Sequence, residues 1–315
     1  MFYTMLKIIT RKSPLALAQT KYVQKKLYCI NPKLKIQLIP IQTKGDIIFK
    51  KFKKNYIDTK RLFVEELEIA LLQNKADIAI HSTKDMPIQM HPKLILSGIC
   101  KRENPLDAFV SNKYQTLQEL PQGSVIGTSS ARRKCQLLFL RPDLLITPIR
   151  GNIETRLKKL DQGKYDAIIL AVAGLKRLKL KCRINEIISP TILLPSCGQG
   201  SIGIQSKLDD NKINFLIKKI NHKKSYLRTL AERSFCKKIG SSCQFPIGSF
   251  AILKKNKLFL RGLIGSPNGE NIIKGEKIGN FFEAKKIGKH LAKEILNKGA
   301  KKIVDNFLKT KKKSQ

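Results

Sequence analysis

The feature that most constrains this chain is an alternation of short apolar strands with helical segments in its first third. Leu6 to Thr10 predicts a strand, Ser13 before a proline predicts a helix start, and Leu34 to Thr43 alternates as a second strand. Helical spacing from Leu62 to Gln73 and a buried strand from Ala76 to Ile80 complete the order β, α, β, α, β. This order is typical of a wound sheet with helices on its faces.

The same alternation returns after a polar segment at 101–105, where we predict a change of domain. Gly123 to Thr128, Leu144 to Ile149 and Tyr165 to Ala171 predict three more strands, each followed by a turn into a helix. After Cys243, alternating segments and helices predict a small α+β domain, and the tail from Lys309 to Gln315 is predicted to be disordered. The predicted class is therefore α/β, with two doubly wound domains and a small C-terminal α+β domain.

The predicted domain boundaries follow from these changes of pattern. A Gly-rich turn and strand from Leu194 to Ser206 can return the chain to the first domain as a hinge. We therefore assign 1–100 with 200–218 to domain 1, 101–199 to domain 2 and 219–315 to domain 3.

The charge of the chain raises a nucleic-acid hypothesis. There are 62 Lys and Arg residues against 23 Asp and Glu, a formal net charge of +39. The excess is mostly Lys spread along the whole chain, without an RNA-recognition signature or a zinc finger. The charge thus indicates an anionic partner without identifying it, and we expect no nucleic acid.

Cysteine usage and hydropathy indicate the compartment. Seven scattered cysteines without a CxxC pair favour reduced thiols over a disulfide framework or a zinc site, and no metal-ligand spacing is found. No apolar run approaches the ~20 residues of a membrane helix, and the N-terminus lacks a secretion signal. We expect a cytoplasmic protein without metal or membrane.

Charged residues follow several of the predicted strands. Lys84 and Asp85 come after the strand at 76–80, where open α/β sheets bind ligands; the alternative is a solvated turn. Arg132 and Arg133 lie in the first turn of a helix, which disfavours positive charge unless an anion is present. Arg11 and Arg150 also lie at strand ends. Arginines and free amides gathered at one edge predict a carboxylate or phosphate site.

A polar, basic stretch from Lys44 to Arg61 separates the second strand from the next helix. We predict a mobile loop that can close over an anionic ligand, with a plain solvated connection as the alternative.

Seven segments of the chain, taken together, closely resemble porphobilinogen deaminases, also called hydroxymethylbilane synthases. They cover nearly the whole chain in order: RKSPLALAQ (11–19), HSTKDMP (81–87), GTSSARRKCQL (127–137), RGNIETRLKKLD (150–161), DAIILAVAGLKRL (166–178), LPSCGQGSIGI (194–204) and CQFPIGS (243–249).

The resemblance implies two domains similar to periplasmic binding proteins, with a cleft between them, and a third domain. That third domain carries a dipyrromethane cofactor through a thioether to Cys243. The implied reaction joins four porphobilinogen molecules head to tail, releases ammonia each time and frees the linear tetrapyrrole by hydrolysis. Asp85 would stabilise the azafulvene cation left by ammonia and help to move protons. The implied enzyme is a cytoplasmic monomer of porphyrin and haem biosynthesis, a transferase.

The resemblance also implies which residues bind the cofactor and the substrate. The cofactor-binding set is Cys243, Lys84, Ser82, Thr128, Ser129, Ser130, Arg132, Arg133, Arg150 and Asn152. The substrate-binding set is Arg11, Ser13, Gln19, Arg156, Arg177, Gln199 and Lys60.

This chain departs from the family pattern at two places. Ser241 and Ser242 replace the glycines before the cofactor cysteine, which restricts the backbone there. The basic loop lacks the family's glycine-rich stretch; Lys60 matches its lysine before LFV, and its second lysine is Lys53 or Lys54.

A different class of function remains as the alternative: a two-lobed anion receptor without catalysis, or a nucleic-acid-binding protein. A receptor would explain the arginines at strand ends but neither Asp85 among them nor a cysteine-bearing third domain.

Overall fold

A computed structural model describes residues 5–46, 61–240 and 245–313 of the chain. The chain forms two compact units. Unit 1 comprises Met1–Glu103 and Gly200–Tyr226, and unit 2 comprises Asn104–Gln199 and Leu227–Gln315. The three-domain boundaries given above stay a prediction.

Within the described residues the strands are, in chain order, β1 (Leu6–Arg11), β2 (Ile36–Ile41), β3 (Ile78–Ser82), β4 (Leu94–Ile99), β5 (Asp107–Val110), β6 (Val125–Gly127), β7 (Leu145–Thr147), β8 (Ala167–Ala171), β9 (Glu186–Ile188), β10 (Ile202–Lys207), β11 (Ile247–Lys254), β12 (Lys257–Gly265) and β13 (Ile272–Asn280). The helices are α1 (Pro14–Ile30), α2 (Glu65–Leu72), α3 (Ala131–Leu140), α4 (Ile153–Asp161), α5 (Val172–Arg177), α6 (Asn211–Ile220), α7 (Lys223–Ile239), α8 (Ala284–Ile295) and α9 (Lys301–Lys313).

The sheet of unit 1 has the strand order β2-β1-β3-β10-β4. β1 runs parallel to β2 and β3, whereas β10 runs antiparallel to both of its neighbours. Ile8 packs with Val23 of α1 in one apolar core, and the next residue, Ile9, packs with Leu67 of α2 in another. Since successive side chains of a strand point to opposite faces, the sheet is covered on both sides.

The first sheet of unit 2 repeats this arrangement, with the order β7-β6-β8-β5-β9. β6 is parallel to β7 and β8, and β5 is antiparallel to both of its neighbours. Ile168 and Ile169 of β8 again enter different apolar cores. The two five-stranded sheets therefore share one topology.

The C-terminal part of unit 2 is an antiparallel sheet, β11-β12-β13, with helices against it. A Cβ atom at Gly262 of β12 would lie 2.6 Å from the ring of Phe235, which is fully buried in α7. Leu194, Phe250 and Leu263 form an apolar cluster between this sheet and the rest of unit 2.

The predicted α/β class is confirmed, with two wound sheets and a smaller C-terminal α+β part. The structure also contains strands β5 and β9 and helix α6, which the sequence pattern did not predict. The prediction of a disordered tail is wrong for residues 309–313, because α9 continues to Lys313. None of the helices in the described part of the chain is long and apolar enough to cross a membrane.

Candidate active site

Predicted ligand-binding residues of unit 1 lie at one edge of its sheet. Arg11 is the last residue of β1 and Ser82 the last of β3, and these strands are parallel neighbours. Ser13 caps α1, where its hydroxyl accepts a hydrogen bond from the amide of Ala16 at 3.3 Å. The strand order thus brings Arg11, Ser13 and Ser82 to the same edge.

Gln19 joins this group from inside α1. Its side chain is buried, and Nε2 donates a hydrogen bond to Oγ of Ser82 at 2.8 Å. This contact ties the first helix to the end of β3. A predicted substrate-binding residue therefore positions a predicted cofactor-binding residue.

Lys84 and Asp85 lie on a single tight turn, Thr83–Asp85, directly after β3. The amide of Met86 closes the turn on the carbonyl of Thr83 at 3.3 Å, and Lys84 and Asp85 are half-buried. A Cβ atom at Gly203 of β10 would lie 3.1 Å from both Thr83 Oγ1 and Met86 Sδ. The absence of a side chain at Gly203 allows this close approach, so the turn packs directly against β10.

Arg11 already has an acidic partner in unit 1. Its Nη2 lies 2.5 Å from Oδ1 of Asp46, and its guanidinium lies 4.1 Å from the ring centre of Phe63. Burial raises the pKa of Asp46, but the Arg11 ion pair and hydrogen bonds from Thr43 outweigh it and lower the pKa. A substrate carboxylate at Arg11 must therefore share the guanidinium with Asp46 or displace it.

In unit 2 a serine hydroxyl links the segments that follow β6 and β7. Ser129 Oγ donates to the carbonyl of Ile149 at 2.8 Å and accepts from its amide at 3.1 Å. Ser130 caps α3, accepting from the amide of Arg133 at 3.4 Å, and Thr128 is buried just before them. The predicted cluster 128–130 is thus built into one turn.

Arg132 and Arg133 are both buried and both pair with Asp107 of β5. The Nη1 of Arg132 lies 2.7 Å from Oδ2 of Asp107, and the Nη2 of Arg133 lies 2.7 Å from Oδ1. Burial alone would raise the pKa of Asp107, but the charges of the two guanidiniums hold it well below its usual value. The anion that these helix-start arginines require is therefore supplied, in part, by the protein itself.

Gln199 belongs to the same buried network. Its Nε2 donates to the carbonyl of Pro105 at 2.7 Å and to Oδ1 of Asp107 at 3.0 Å. Gly198 and Gly200 on either side have positive φ values of 69° and 85°. The Gly-rich turn predicted as a hinge is thus fastened to the chain near β5 within unit 2.

The other predicted site residues of unit 2 are less buried than Arg132 and Arg133. Arg150 and Asn152 are exposed, and the Nε of Arg156 donates to the carbonyl of Gly151 at 2.8 Å. Arg177 is half-buried in the last turn of α5. Arg150, Asn152 and Arg156 follow β7, and Arg177 follows β8, so both groups come from the sheet edge where β6 ends.

Several predicted residues lie outside the described part of the chain: Cys243, Lys60, the alternative lysines Lys53 and Lys54, and Ser241 and Ser242. Their predicted roles, and the loop prediction for 47–60, stay predictions.

Comparison with known proteins gives the family. Residues 6–215 match the model described as "Porphobilinogen deaminase, dipyromethane cofactor binding domain", and residues 226–297 match "Porphobilinogen deaminase, C-terminal domain". The chain belongs to the porphobilinogen deaminase family. Similar proteins include the porphobilinogen deaminases of two Buchnera aphidicola strains from Acyrthosiphon pisum, Tuc7 and APS. Each is 58% identical over 307 residues, which cover 98% of either chain.

A weaker likeness is found among solved structures. An ABC transporter periplasmic substrate-binding protein from Coxiella burnetii is 14% identical, with a TM-score of 0.43 over 69% of this chain and 92% of that protein.

The described residues fit the anionic dipyrromethane cofactor that the family model specifies. Two buried guanidiniums face the single carboxylate of Asp107, which leaves one positive charge in excess. Within residues 5–46, 61–240 and 245–313, the buried Nε of Arg132 has no hydrogen-bond partner. An acidic side chain of a cofactor would satisfy both, since buried charges need compensation.

Three polar residues of the site were missed by sequence reasoning: Asp46, Asp107 and Gln205. Gln205 is fully buried on β10 and contacts His81 of β3. In the sequence each of the three appears only as a polar residue beside an apolar segment. That pattern is also common at solvated strand ends, so it does not single out a site residue. Their partners are distant in sequence, so local patterns could not identify them.

Proposed function

We propose that the chain is a hydroxymethylbilane synthase that joins four porphobilinogen molecules head to tail, releasing ammonia at each step and freeing the linear product by hydrolysis. The family match over both of its parts carries the proposal. The position of Asp85 on a rigid turn at the edge of a wound sheet supports it.

Asp85 is the proposed catalytic residue. When ammonia leaves the aminomethyl group of porphobilinogen, positive charge develops on the substrate. A carboxylate held by a short turn stabilises this charge without reorganising, which is the usual source of the largest catalytic effect. Asp85 also accepts the proton lost from the pyrrole as each new bond forms.

The dipyrromethane cofactor, when bound through a thioether to Cys243, supplies the pyrrole primer from which the product grows. The residues proposed to hold its acidic side chains are those that the family resemblance implies: Lys84, Ser82, Thr128, Ser129, Ser130, Arg132, Arg133, Arg150 and Asn152. Charge-assisted contacts from guanidinium forks suit planar carboxylates.

Porphobilinogen carries acetate and propionate groups, so its binding also requires cations and polar side chains. The proposed set is Arg11, Ser13, Gln19, Arg156, Arg177, Gln199 and Lys60. In this set Arg11 exchanges its partner Asp46 for a substrate carboxylate, and the stacking on Phe63 keeps the guanidinium plane in place.

The proposal includes a cytoplasmic monomer with porphobilinogen as its small-molecule partner, and three domains at 1–100 with 200–218, 101–199 and 219–315. Gel filtration with light scattering tests the oligomeric state: a mass near 35.7 kDa is expected.

Incubation of the purified protein with porphobilinogen tests the activity. We expect release of ammonia and a uroporphyrin-type chromophore after acid oxidation. Intact-mass measurement should show a dipyrrole adduct that is absent from Cys243→Ser. Binding of porphobilinogen without ammonia release would favour the anion receptor instead.

Replacement of the proposed catalytic carboxylate tests its role most directly. Asp85→Asn should keep the fold and the adduct but lose kcat by on the order of 100-fold or more, because the amide cannot stabilise the cation. Asp209→Asn, at an exposed aspartate of the same unit, is the control and should retain activity. Full turnover by Asp85→Asn would reject the role of Asp85.

A further inference from the structure

A hydrogen-bonded series of polar side chains crosses unit 1 from half-buried Glu68 of α2 to the strand that precedes the proposed catalytic turn. Glu68 Oε1 accepts a hydrogen bond from Nε2 of Gln205 at 2.8 Å. The Oε1 of Gln205 lies 3.0 Å from Nε2 of His81. Gln205 is fully buried and His81 is 5% exposed. His81 is four residues before Asp85, on β3.

The carboxylate at one end of this chain determines the direction of every hydrogen bond in it. An ionised Glu68 can only accept, so the amide NH₂ of Gln205 must point towards it. The amide oxygen of Gln205 then faces His81, and an oxygen can only accept there. Nε2 of His81 must therefore carry the proton, and a neutral ring leaves Nδ1 without one.

The surroundings of His81 oppose a second proton. Burial lowers the pKa of His81 to about 4, against smaller effects of Gln205 and Asp85, which raise it, while Arg11 lowers it. The charged groups that act on the ring are Asp85 on the turn and Arg11 on β1, whose partner is Asp46. Lys84 adjoins Asp85 on the turn, and Glu68 lies behind Gln205. At neutral pH the ring carries no charge.

We propose that Glu68 and Gln205 hold His81 as the neutral imidazole protonated on Nε2, and that His81 is thereby a positioning residue for Asp85. A charged imidazolium at the end of β3 would pair with the Asp85 carboxylate and repel the cation that develops on the substrate. A neutral ring leaves the negative charge of Asp85 available to that cation. The role assigned to Asp85 rests on the proposed function; the protonation state of His81 does not.

The charge next to His81 can be changed without changing the net charge of the protein. The double substitution Glu68→Gln with Gln205→Glu exchanges the two groups, so the carboxylate moves from position 68 to position 205, in contact with His81. A carboxylate in contact with a titratable base raises its pKa by about 1–3 units. The acidic limb of the kcat profile should move to higher pH by a similar interval, with KM changed much less.

Glu68→Gln alone is the matched control, because it removes the same carboxylate without placing one on His81. Its acidic limb should lie below that of the exchange variant. A merely structural role for the chain would lower kcat and raise KM alike in both variants, at every pH.

The ring itself is observed by ¹⁵N NMR of the imidazole nitrogens, with the signal of His81 assigned through His81→Asn. In the unaltered protein we expect a neutral ring protonated on Nε2 from pH 5.5 to 9, and in the exchange variant an imidazolium over part of that range. A proton on Nδ1, or a charged ring at pH 7 in the unaltered protein, would overturn the inference even if the variants fail to fold.

An imidazolium in the exchange variant with an unshifted kcat profile would also overturn the inference, because His81 would then not act on Asp85. Failure of the proposed function has a separate signature: the unaltered protein would bind porphobilinogen without releasing ammonia, whatever the NMR result.

Discussion

β10 of unit 1 and β5 of unit 2 occupy the same place in sheets of the same strand order, and each runs antiparallel to both neighbours. Each has a fully buried polar side chain at the centre of a hydrogen-bonded network, Gln205 on β10 and Asp107 on β5. We call these the return strands. Their buried residues differ in charge, and so do the partners gathered around them.

The return strand of unit 1 holds a neutral centre. Gln205 contacts His81, which is uncharged at neutral pH, and reaches a charge only at Glu68, nearer the surface. The return strand of unit 2 holds a charged centre, since Asp107 pairs with Arg132 and Arg133. Under the proposed function, the catalytic carboxylate requires a neutral neighbour, whereas a site for acidic ligands requires positive charge that the fold can hold.

The charged centre of unit 2 indicates how its buried arginines are kept ordered. Two guanidiniums buried without a counterion would each cost several kcal/mol, so one carboxylate is required to fold the site. A second internal carboxylate would cancel the remaining positive charge. A single carboxylate shared by two arginines therefore stabilises the fold and still leaves positive charge that attracts an anion.

The largest effect is expected at the charged return strand. Asp107→Asn should lower the free energy of unfolding of unit 2 by about 3–5 kcal/mol, because it leaves two buried guanidiniums without a counterion. Denaturant unfolding measures it. Asp143→Asn is the control, since the Asp143–Arg141 pair lies near the surface and its loss should change the free energy of unfolding much less. Equal effects of the two substitutions would remove the distinction between the return strands.

A smaller effect distinguishes the buried centres of the two return strands by the pH dependence of the free energy of unfolding. The folded-state pKa of His81, about 4, lies below the ordinary histidine value of 6.5, so the unfolded chain binds the extra proton first. Stability from this group is present above pH 6.5 and falls by about 3 kcal/mol as the pH drops to 4.

For Asp107 the folded-state pKa is also depressed, from the ordinary aspartate value of 3.8, so its contribution to stability is lost only below that pH. Unfolding free energies of the unaltered protein and His81→Asn, measured from pH 7 to 4, should differ in slope. Parallel curves would mean that His81 is not buried in its neutral form.

The smallest effect concerns the helix starts beside the strands β1 and β6, which hold equivalent places in the two sheets. Ser13 and Ser130 both cap a helix, at 3.3 and 3.4 Å from the amide three residues on. Ser13→Ala and Ser130→Ala should each cost about 1 kcal/mol in thermal unfolding. Corresponding Ser→Gly variants should cost only a few tenths of a kcal/mol. A much larger loss at Ser130 would indicate that its hydroxyl also orders the Arg133 network.

Much of the fold was predictable from local patterns. The strands β1, β3 and β8 and the start of α1 were predicted within a few residues, because apolar periodicity and a serine before proline act over one or two turns. β5 was missed because it is only four residues long and follows no helix. The continuation of α9 to Lys313 was missed because a lysine-rich tail resembles disordered sequence.

The candidate site was predictable in part. Asp85 and the arginines were found from their places after strands and from the family motifs. Arg132 and Arg133 were expected to need an anion, and the macrodipole argument predicted this need without naming Asp107. No local rule relates Asp107 to residues 25 positions away, or Glu68 to Gln205, which is 137 positions away.

Local sequence patterns specify the alternation that makes two wound sheets, the helix caps, and the motifs that place the chain in its family. These signals are local, since they depend on side-chain spacing and on hydrogen bonds within a few residues. The pairing of Gln205 with a neutral His81, and of Asp107 with two arginines, depends instead on the tertiary fold. Strand order brings these partners together, and burial then requires each donor and charge to be matched by whatever lies opposite.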